Sequence, residues 1–251
     1  MRLTVLGASG GIGGDCRTTA LRVDDDLLVD CGTGVGDLPL AALVAIDHVL
    51  LSHAHLDHVA LLPMLADARV GRRSEPLAVY ALPETLAAVK ECLFNDRLWP
   101  DYTSPAMPYV RLVPVAMGAT VTLGGRRFTP LPVRHAVPAV AWQMDSGAAS
   151  LVFSGDTTYS EPFWDALAAI ANLRHLIIET TFLNDNEAGC ETSGHTNARR
   201  LALGLARLAR PVEVHVTHME PGREADIWAE VLASCAAFAP RRLERGQVIE
   251  F

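Results

Sequence analysis

Two β-sheets packed face to face, with helices outside them in one layered α/β domain, is the fold class the sequence predicts. Three observations lead there. The chain has 251 residues, 50% of them hydrophobic, which suits one sizeable core. Its first half is mostly short apolar runs of strand length separated by turn residues. Its second half alternates helix-length and strand-length segments, a mixture that layered folds accommodate.

Leu3–Leu6 reads as the opening strand and runs into the glycines of VLGASGGIGG: Gly7, Gly10, Gly11 and Gly13. The stretch imitates a dinucleotide-binding loop, with Asp30 at about the distance of a ribose-binding carboxylate. Such a loop must open a helix, so that the helix N-terminus faces the pyrophosphate. Here it leads into DCRTTALRVDDDLLVDCG, two apolar runs around Asp24-Asp25-Asp26. Residues 19–31 therefore read as a hairpin of Thr19–Val23 and Leu27–Cys31, and the cofactor reading fails. His48–Ser52 is the next strand. Pro63 opens a short helix through Ala68, and Pro83 one through about Phe94, because proline suits the first helical turn. The segment Asn95–Pro108 is an aromatic, proline-rich loop. Strands follow at Val110–Val115, Arg127–Val133, Val140–Met144 and Ala149–Phe153. Glu161–Leu173 is a helix with Ser160 as N-cap and Pro162 in its first turn. His175–Glu179 is a strand, Asn197–Ala209 a helix and Val212–Thr217 a strand. Arg223–Phe238 is the last long helix, with Ile227, Val231, Leu232 and Cys235 on its apolar face.

The formal net charge of -8 makes nucleic acid and anionic membrane poor partners, and the arginine pairs are scattered rather than gathered into a patch. The apolar run at Ala41–Ala45 is too short to span a bilayer, and no charged-then-apolar leader opens the sequence. Cys16, Cys31, Cys92, Cys190 and Cys235 are odd in number and form no C-x-x-C pair, so reduced structural thiols and a cytoplasmic location are expected.

The chemistry concentrates in LLSHAHLDHV. His53, His55, Asp57 and His58 crowd into six positions just after an apolar strand, where packing gives no reason for them. His135, Asp156 and His218 each follow the carboxyl end of another expected strand, the place where α/β folds gather their sites. Together they supply enough ligands for two metal ions sharing a carboxylate. Imidazole with carboxylate suits zinc, iron or manganese. His48, His175 and His215 have no such context and read as structural or surface residues.

H-x-H-x-D-H, a later His, an Asp in SGDT and a final His resemble the metallo-β-lactamase superfamily pattern, in an order that covers nearly the whole chain. The resemblance implies an αββα sandwich over residues 1–251, taken as a single catalytic domain. It implies one ion on His53, His55 and His135, a second on Asp57, His58 and His218, and Asp156 bridging them, with zinc the first choice of metal. FNDRLWPDY and HAHLDH are similar to segments of class II cyclic-nucleotide phosphodiesterases. IIETTF, SGHTN and THMEP are similar to that class and also to tRNA 3′-end endonucleases. The implied activity is hydrolysis of 3′,5′-cyclic nucleotides, cyclic AMP or cyclic GMP, to 5′-monophosphates by a water activated between two ions. His195, oriented by Glu179, would donate to the phosphate or the leaving oxygen, and Asp57 would serve chiefly as a ligand. Asn95, Trp99, Asp101 and Thr157 are candidate substrate contacts. Ser154 and Thr157 are candidate supports of the site, and Asp30 a candidate orienter of a ligand histidine. The glycine loop is expected to border the metal rim, either as a backbone approach to substrate or as a tight turn. A homodimer is implied by the resemblance alone. Leu61 departs from the small residue usual after the histidine motif, which bears on nucleotide preference. The alternatives are a tRNA-processing endonuclease, a lactone or thioester hydrolase, and a nucleotide sensor without catalysis.

Overall fold

In the computed structural model, which describes residues 1–251, β1 (Arg2–Gly7) turns Leu3 and Val5 into the core and leaves Arg2, Thr4 and Leu6 less buried. β2 (Ala20–Val23) pairs antiparallel with β1 and forms the expected hairpin with β3 (Leu27–Val29), Asp24 taking the turn at φ 49°. A short α1 (Leu40–Ala45) precedes β4 (His48–Leu50), which is parallel to β3. α2 (Leu56–Val59) and α3 (Leu62–Arg69) lead to β5 (Leu77–Ala81), and α4 (Pro83–Cys92) leads to β6 (Val110–Pro114). Both β5 and β6 extend the parallel run.

The second sheet begins with β7 (Val121–Leu123), β8 (Arg126–Pro132), β9 (Val140–Asp145) and β10 (Ser150–Phe153), antiparallel neighbours in that order. α5 (Glu161–Ala169) carries the chain to β11 (Leu173–Glu179), parallel to β10. α6 (Glu187–Ser193) and α7 (Ala198–Leu205) carry it on to β12 (Glu213–Thr217), parallel to β11. After α8 (Glu224–Cys235), β13 (Arg241–Arg242) edges the second sheet and β14 (Val248–Glu250) returns to the first, beside β1. The sheets run β14-β1-β2-β3-β4-β5-β6 and β13-β12-β11-β10-β9-β8-β7.

Three apolar layers make this an αββα sandwich. Leu3, Val5, Phe128, Trp142, Phe153 and Ile177 lie between the sheets. Leu28, Val49, Leu65, Val89 and Phe94 pack the first sheet against its helices, and Leu176, Val216, Trp164, Leu201 and Ile227 do the same for the second. Trp142, fully buried, also donates its indole N–H to the Leu51 carbonyl at 3.0 Å, tying β9 to the segment that follows β4.

Four expectations need correction. The helix expected over Glu161–Leu173 stops at Ala169, because Leu173 already belongs to β11. Ser160 precedes it without a capping side-chain bond, although Pro162 does lie in its first turn. The helix expected to reach Ala209 ends at Leu205. Leu232 is 46% exposed: Ile227, Val231 and Cys235 repeat every fourth residue and own the buried face, which leaves Leu232 off it.

Candidate metal centre

The carboxyl ends of β4, β8, β10, β11 and β12 meet on one rim. The loop after β4 carries His53 and His55 and the short α2 that follows carries Asp57 and His58, while β8 delivers His135, β10 Asp156, β11 Glu179 and β12 His218. The side chains converge as two groups that share one carboxylate: His53, His55, His135 and Asp156, and Asp57, His58, Asp156 and His218. Within each group the potential ligand atoms all lie within 4.8 Å of one another.

The two oxygens of Asp156 divide the work. Oδ2 faces His53 Nε2 at 3.5 Å and His135 Nε2 at 3.8 Å, and His135 Nε2 lies 3.1 Å from His55 Nδ1. Oδ1 faces His58 Nε2 at 3.3 Å and His218 Nε2 at 3.4 Å. Asp57 Oδ2 closes the second group, 3.2 Å from His218 Nε2 and 3.4 Å from His58 Nε2. His53 Nε2 and Asp156 Oδ1 are buried without a hydrogen-bond partner. Orphaned polar atoms are costly in a protein interior, and here one lies in each ligand set: His53 Nε2 in the first and Asp156 Oδ1 in the second. The donor set therefore fits two divalent cations with a shared carboxylate.

Outer contacts set the ring orientations. Asp30 accepts from His58 Nδ1 at 2.7 Å, and from the Ser52 hydroxyl and backbone N–H at 2.7 Å each. The Ser52 oxygen lies 3.0 Å from His53 Nδ1. His135 Nδ1 donates to the Gly194 carbonyl at 3.1 Å, which leaves its Nε2 lone pair facing the centre. Thr181 Oγ1 stands 3.1 Å from His218 Nδ1. Asp30 (φ 59°) and His218 (φ 61°) both hold left-handed backbone, a conformation non-glycine residues adopt at a cost.

Burial pushes His53, His55 and His135 below the ordinary histidine range, which keeps them neutral and able to ligate. For His58 burial also opposes the charge, but Asp156 and Asp30 outweigh it and hold the imidazole well above that range. Burial would raise the Asp156 and Asp57 carboxyls; the histidines around them, His218 and His58 foremost, hold both well below the usual carboxylate range.

His195 stands beside this set rather than in it. Gly194 (φ 74°) turns the chain out of α6, and a Cβ there would lie 2.6 Å from His135 Cα, so only glycine lets the loop pass. His195 Nδ1 meets Glu179 Oε1 at 2.9 Å, and its ring stacks on His218 at 5.3 Å between centroids. Glu179 is fully buried and fully engaged: it also accepts from Thr157 N at 2.9 Å, Thr181 Oγ1 at 2.9 Å and Thr196 N at 3.1 Å. Burial disfavours the charged imidazole, but Glu179 more than offsets it and raises His195 to about 9.

Other sequence-predicted residues land differently. Thr157 is buried; its hydroxyl is spent on the backbone of Arg134 and Thr158, so it supports Glu179 through its N–H instead of facing substrate. Ser154 accepts from Glu179 N at 3.2 Å. Asn95 Oδ1 accepts from the N–H groups of Arg97 and Leu98, and Asp101 pairs with Lys90 at 2.6 Å and accepts from Thr103. Trp99 packs on the apolar layer outside the first sheet. These three hold their own loop together and, through Lys90, tie it to α4. The glycine loop does border the rim. A Cβ on Gly10 would lie 2.9 Å from His218 Nδ1, and Ala8 accepts from His218 N at 2.9 Å. Ser52, Thr181 and the Gly194 carbonyl are the functional contacts that sequence reasoning missed; no spacing rule marks a hydroxyl or carbonyl behind a ligand.

No helix is long and apolar enough to cross a membrane. A family model described as beta-lactamase superfamily domain matches residues 26–232. The probable metallo-hydrolase YhfI of Bacillus subtilis (strain 168) is 27% identical over 233 residues, 87% of each chain. Ribonuclease Z of Bradyrhizobium sp. (strain ORS 278) is 34% identical over 113 residues, 43% of this chain and 36% of that protein. Unliganded yeast PDE1 has the same fold, with a TM-score of 0.81 at 16% identity over 100% of this chain and 99% of its own. With its family match, its αββα sandwich and His/Asp clusters suited to a dinuclear site, the chain belongs to the metallo-β-lactamase superfamily and is a metallo-hydrolase.

Proposed function

We propose that this metallo-hydrolase is a phosphodiesterase that opens 3′,5′-cyclic nucleotides, cyclic AMP or cyclic GMP, to 5′-monophosphates. The observation that carries the reading is the His195–Glu179 pair at 2.9 Å beside the shared carboxylate Asp156. His53, His55, His135 and Asp156 would hold one ion and Asp57, His58, His218 and Asp156 the other. When bound, the two ions supply Lewis acidity toward phosphate oxygens and lower the pKa of water. Zinc is the first choice on these donors, with iron and manganese compatible.

The chain's own residues supply the rest. His195, protonated near neutral pH, offers its Nε2 proton while Glu179 holds Nδ1. In the cyclic diester, water adds its oxygen to phosphorus and the P–O3′ bond breaks. The His195 proton passes to the departing 3′ oxygen, and a proton from the attacking water restores the imidazolium. A carbonyl substrate carries no phosphate anion for that imidazolium to meet. The similarity of FNDRLWPDY and SGHTN to class II phosphodiesterases supports the same reading, and so does the fold shared with yeast PDE1.

A tRNA-type endonuclease is the second reading, favoured by the 34% identity to ribonuclease Z over 113 residues. The net charge of -8 weighs against it, because RNA binding draws most of its affinity from neutralised phosphates. The test is a panel on metal-loaded protein: cyclic AMP, cyclic GMP, a tRNA precursor, a lactone and a thioester. Turnover confined to cyclic nucleotides is expected. Cleavage of the precursor alone would establish the second reading, and turnover of carbonyl substrates alone would overturn both.

A further inference from the structure

A second group of ligand-type side chains lies at the other end of the sandwich. His175 is on β11, and Glu213 and His215 are on β12. The parallel register sets His175 opposite Glu213 and Ile177 opposite His215, so all three share the sheet face that Ile177 turns toward the first sheet. His175 is four residues before Glu179 on the same strand, about 13 Å at the rise of a strand. The group is therefore distinct from the candidate centre.

The two imidazoles are 4% and 2% exposed, with ring centroids 5.7 Å apart. Neither ring nitrogen of His175 has a hydrogen-bond partner, and neither has His215 Nε2. His215 Nδ1 has only the Gln247 side-chain amide, at 3.5 Å. Two buried imidazoles with three orphaned nitrogens are an expensive arrangement for a merely structural pair. Burial, and then His175 as a neighbour, lowers His215 to about 4, and burial lowers His175 as well, so both are neutral as ligands require. Glu213 supplies the carboxylate, Oε2 lying 3.8 Å from His175 Nδ1.

We propose that His175, Glu213 and His215 form a third divalent-cation site that binds zinc and pins β11 to β12 at their amino ends. The potential ligand atoms lie within 4.8 Å of one another. Ligand atoms on a tetrahedral zinc stand roughly 3.3–3.5 Å apart, so side-chain rotations of about 1 Å close the set. Two arginines neighbour the carboxylate: Arg174 Nε at 3.6 Å and Arg241 Nη1 at 3.6 Å. Both distances exceed hydrogen-bond contact, and both side chains are more than half exposed and free to swing into solvent as the ion takes the carboxylate. Two imidazoles and one carboxylate leave a fourth position for water.

The proposal is independent of which substrate the candidate centre turns over. Its test is zinc stoichiometry of metal-stripped, reconstituted protein by mass spectrometry, with chelator competition and thermal melting. Wild type is expected to hold three equivalents, and Glu213→Gln and His215→Gln two each with hydrolase activity kept. Asp156→Ala is expected to keep this third equivalent while losing metal from the candidate centre. Zinc should raise the melting midpoint of Asp156→Ala but not of Asp156→Ala/Glu213→Gln. Glu213 is only half-buried at the start of β12, so its variant folds even if His215→Gln does not. Two equivalents in wild type, or the same stoichiometry in wild type and Glu213→Gln, would overturn the site.

Discussion

Asp156 has no oxygen to spare: one faces His53 and His135 and the other faces His58 and His218. His195 turns to Asp156 only the Nδ1 that Glu179 already engages at 2.9 Å, so metal and turnover should separate between the two residues. Asp156→Ala is expected to lose both. His195→Ala should keep its metal content while kcat falls by about 10²–10⁴, the range for loss of a general acid; steady-state kinetics beside metal analysis check it, and unchanged kcat would remove His195 from the chemistry. Asp30→Asn keeps the shape and tolerates the left-handed backbone, so it isolates the charge behind His58. Metal affinity should drop about 10–100-fold by chelator competition, with kcat recovered at saturating metal. At this scale the sequence was readable where ligands are neighbours in the chain, as in His53–His58. It was unreadable where a contact exists only after folding, as with Ser52 behind His53 or Thr181 behind His218. Asn95 and Asp101 show the converse: polar residues in a suggestive motif whose partners turn out to be their own loop and the adjoining α4.

Strands β11 and β12 carry the pH dependence that belongs to single elements. His215, at about 4 when folded against 6.5 ordinarily, takes up a proton more readily when unfolded. Its contribution is intact above 6.5 and is lost as pH falls from 6.5 toward 4. In chelator-treated protein, urea denaturation across that window should show wild type losing up to about tenfold in folding constant per pH unit from this group. His215→Gln should flatten the slope, and an equal slope in both proteins would remove His215 from the acid limb. Element existence was legible for the long periodic segments, and less so at their ends. Leu173 continues the apolar pattern of α5 although the chain has already turned into β11. The run Leu77–Ala81 is buried throughout and shows no alternation, so its period cannot tell a buried strand from a buried helix segment, and β13 and β14 are two and three residues long.

Across the whole molecule the two sheets must sit in register for the rim to exist. The indole of Trp142 is one of the ties, since its N–H reaches the Leu51 carbonyl two residues before His53. Trp142→Phe keeps an aromatic filler and removes the donor, leaving a buried carbonyl short of a partner. A stability loss of about 1–3 kcal/mol in urea denaturation is expected; an unchanged midpoint would mean the sheets are held by apolar packing alone.

The span of the donors along the chain has a consequence for how the molecule matures. A chain emerging from the ribosome presents His53, His55, Asp57 and His58 long before Asp156, and His218 later still. Until β12 has joined the second sheet, a nascent chain offers the second cation only Asp57, His58 and Asp156, while the four donors of the first are already made. Completion of the second cation's ligand set is thus a late event in biogenesis, following the pairing of β12 with β11.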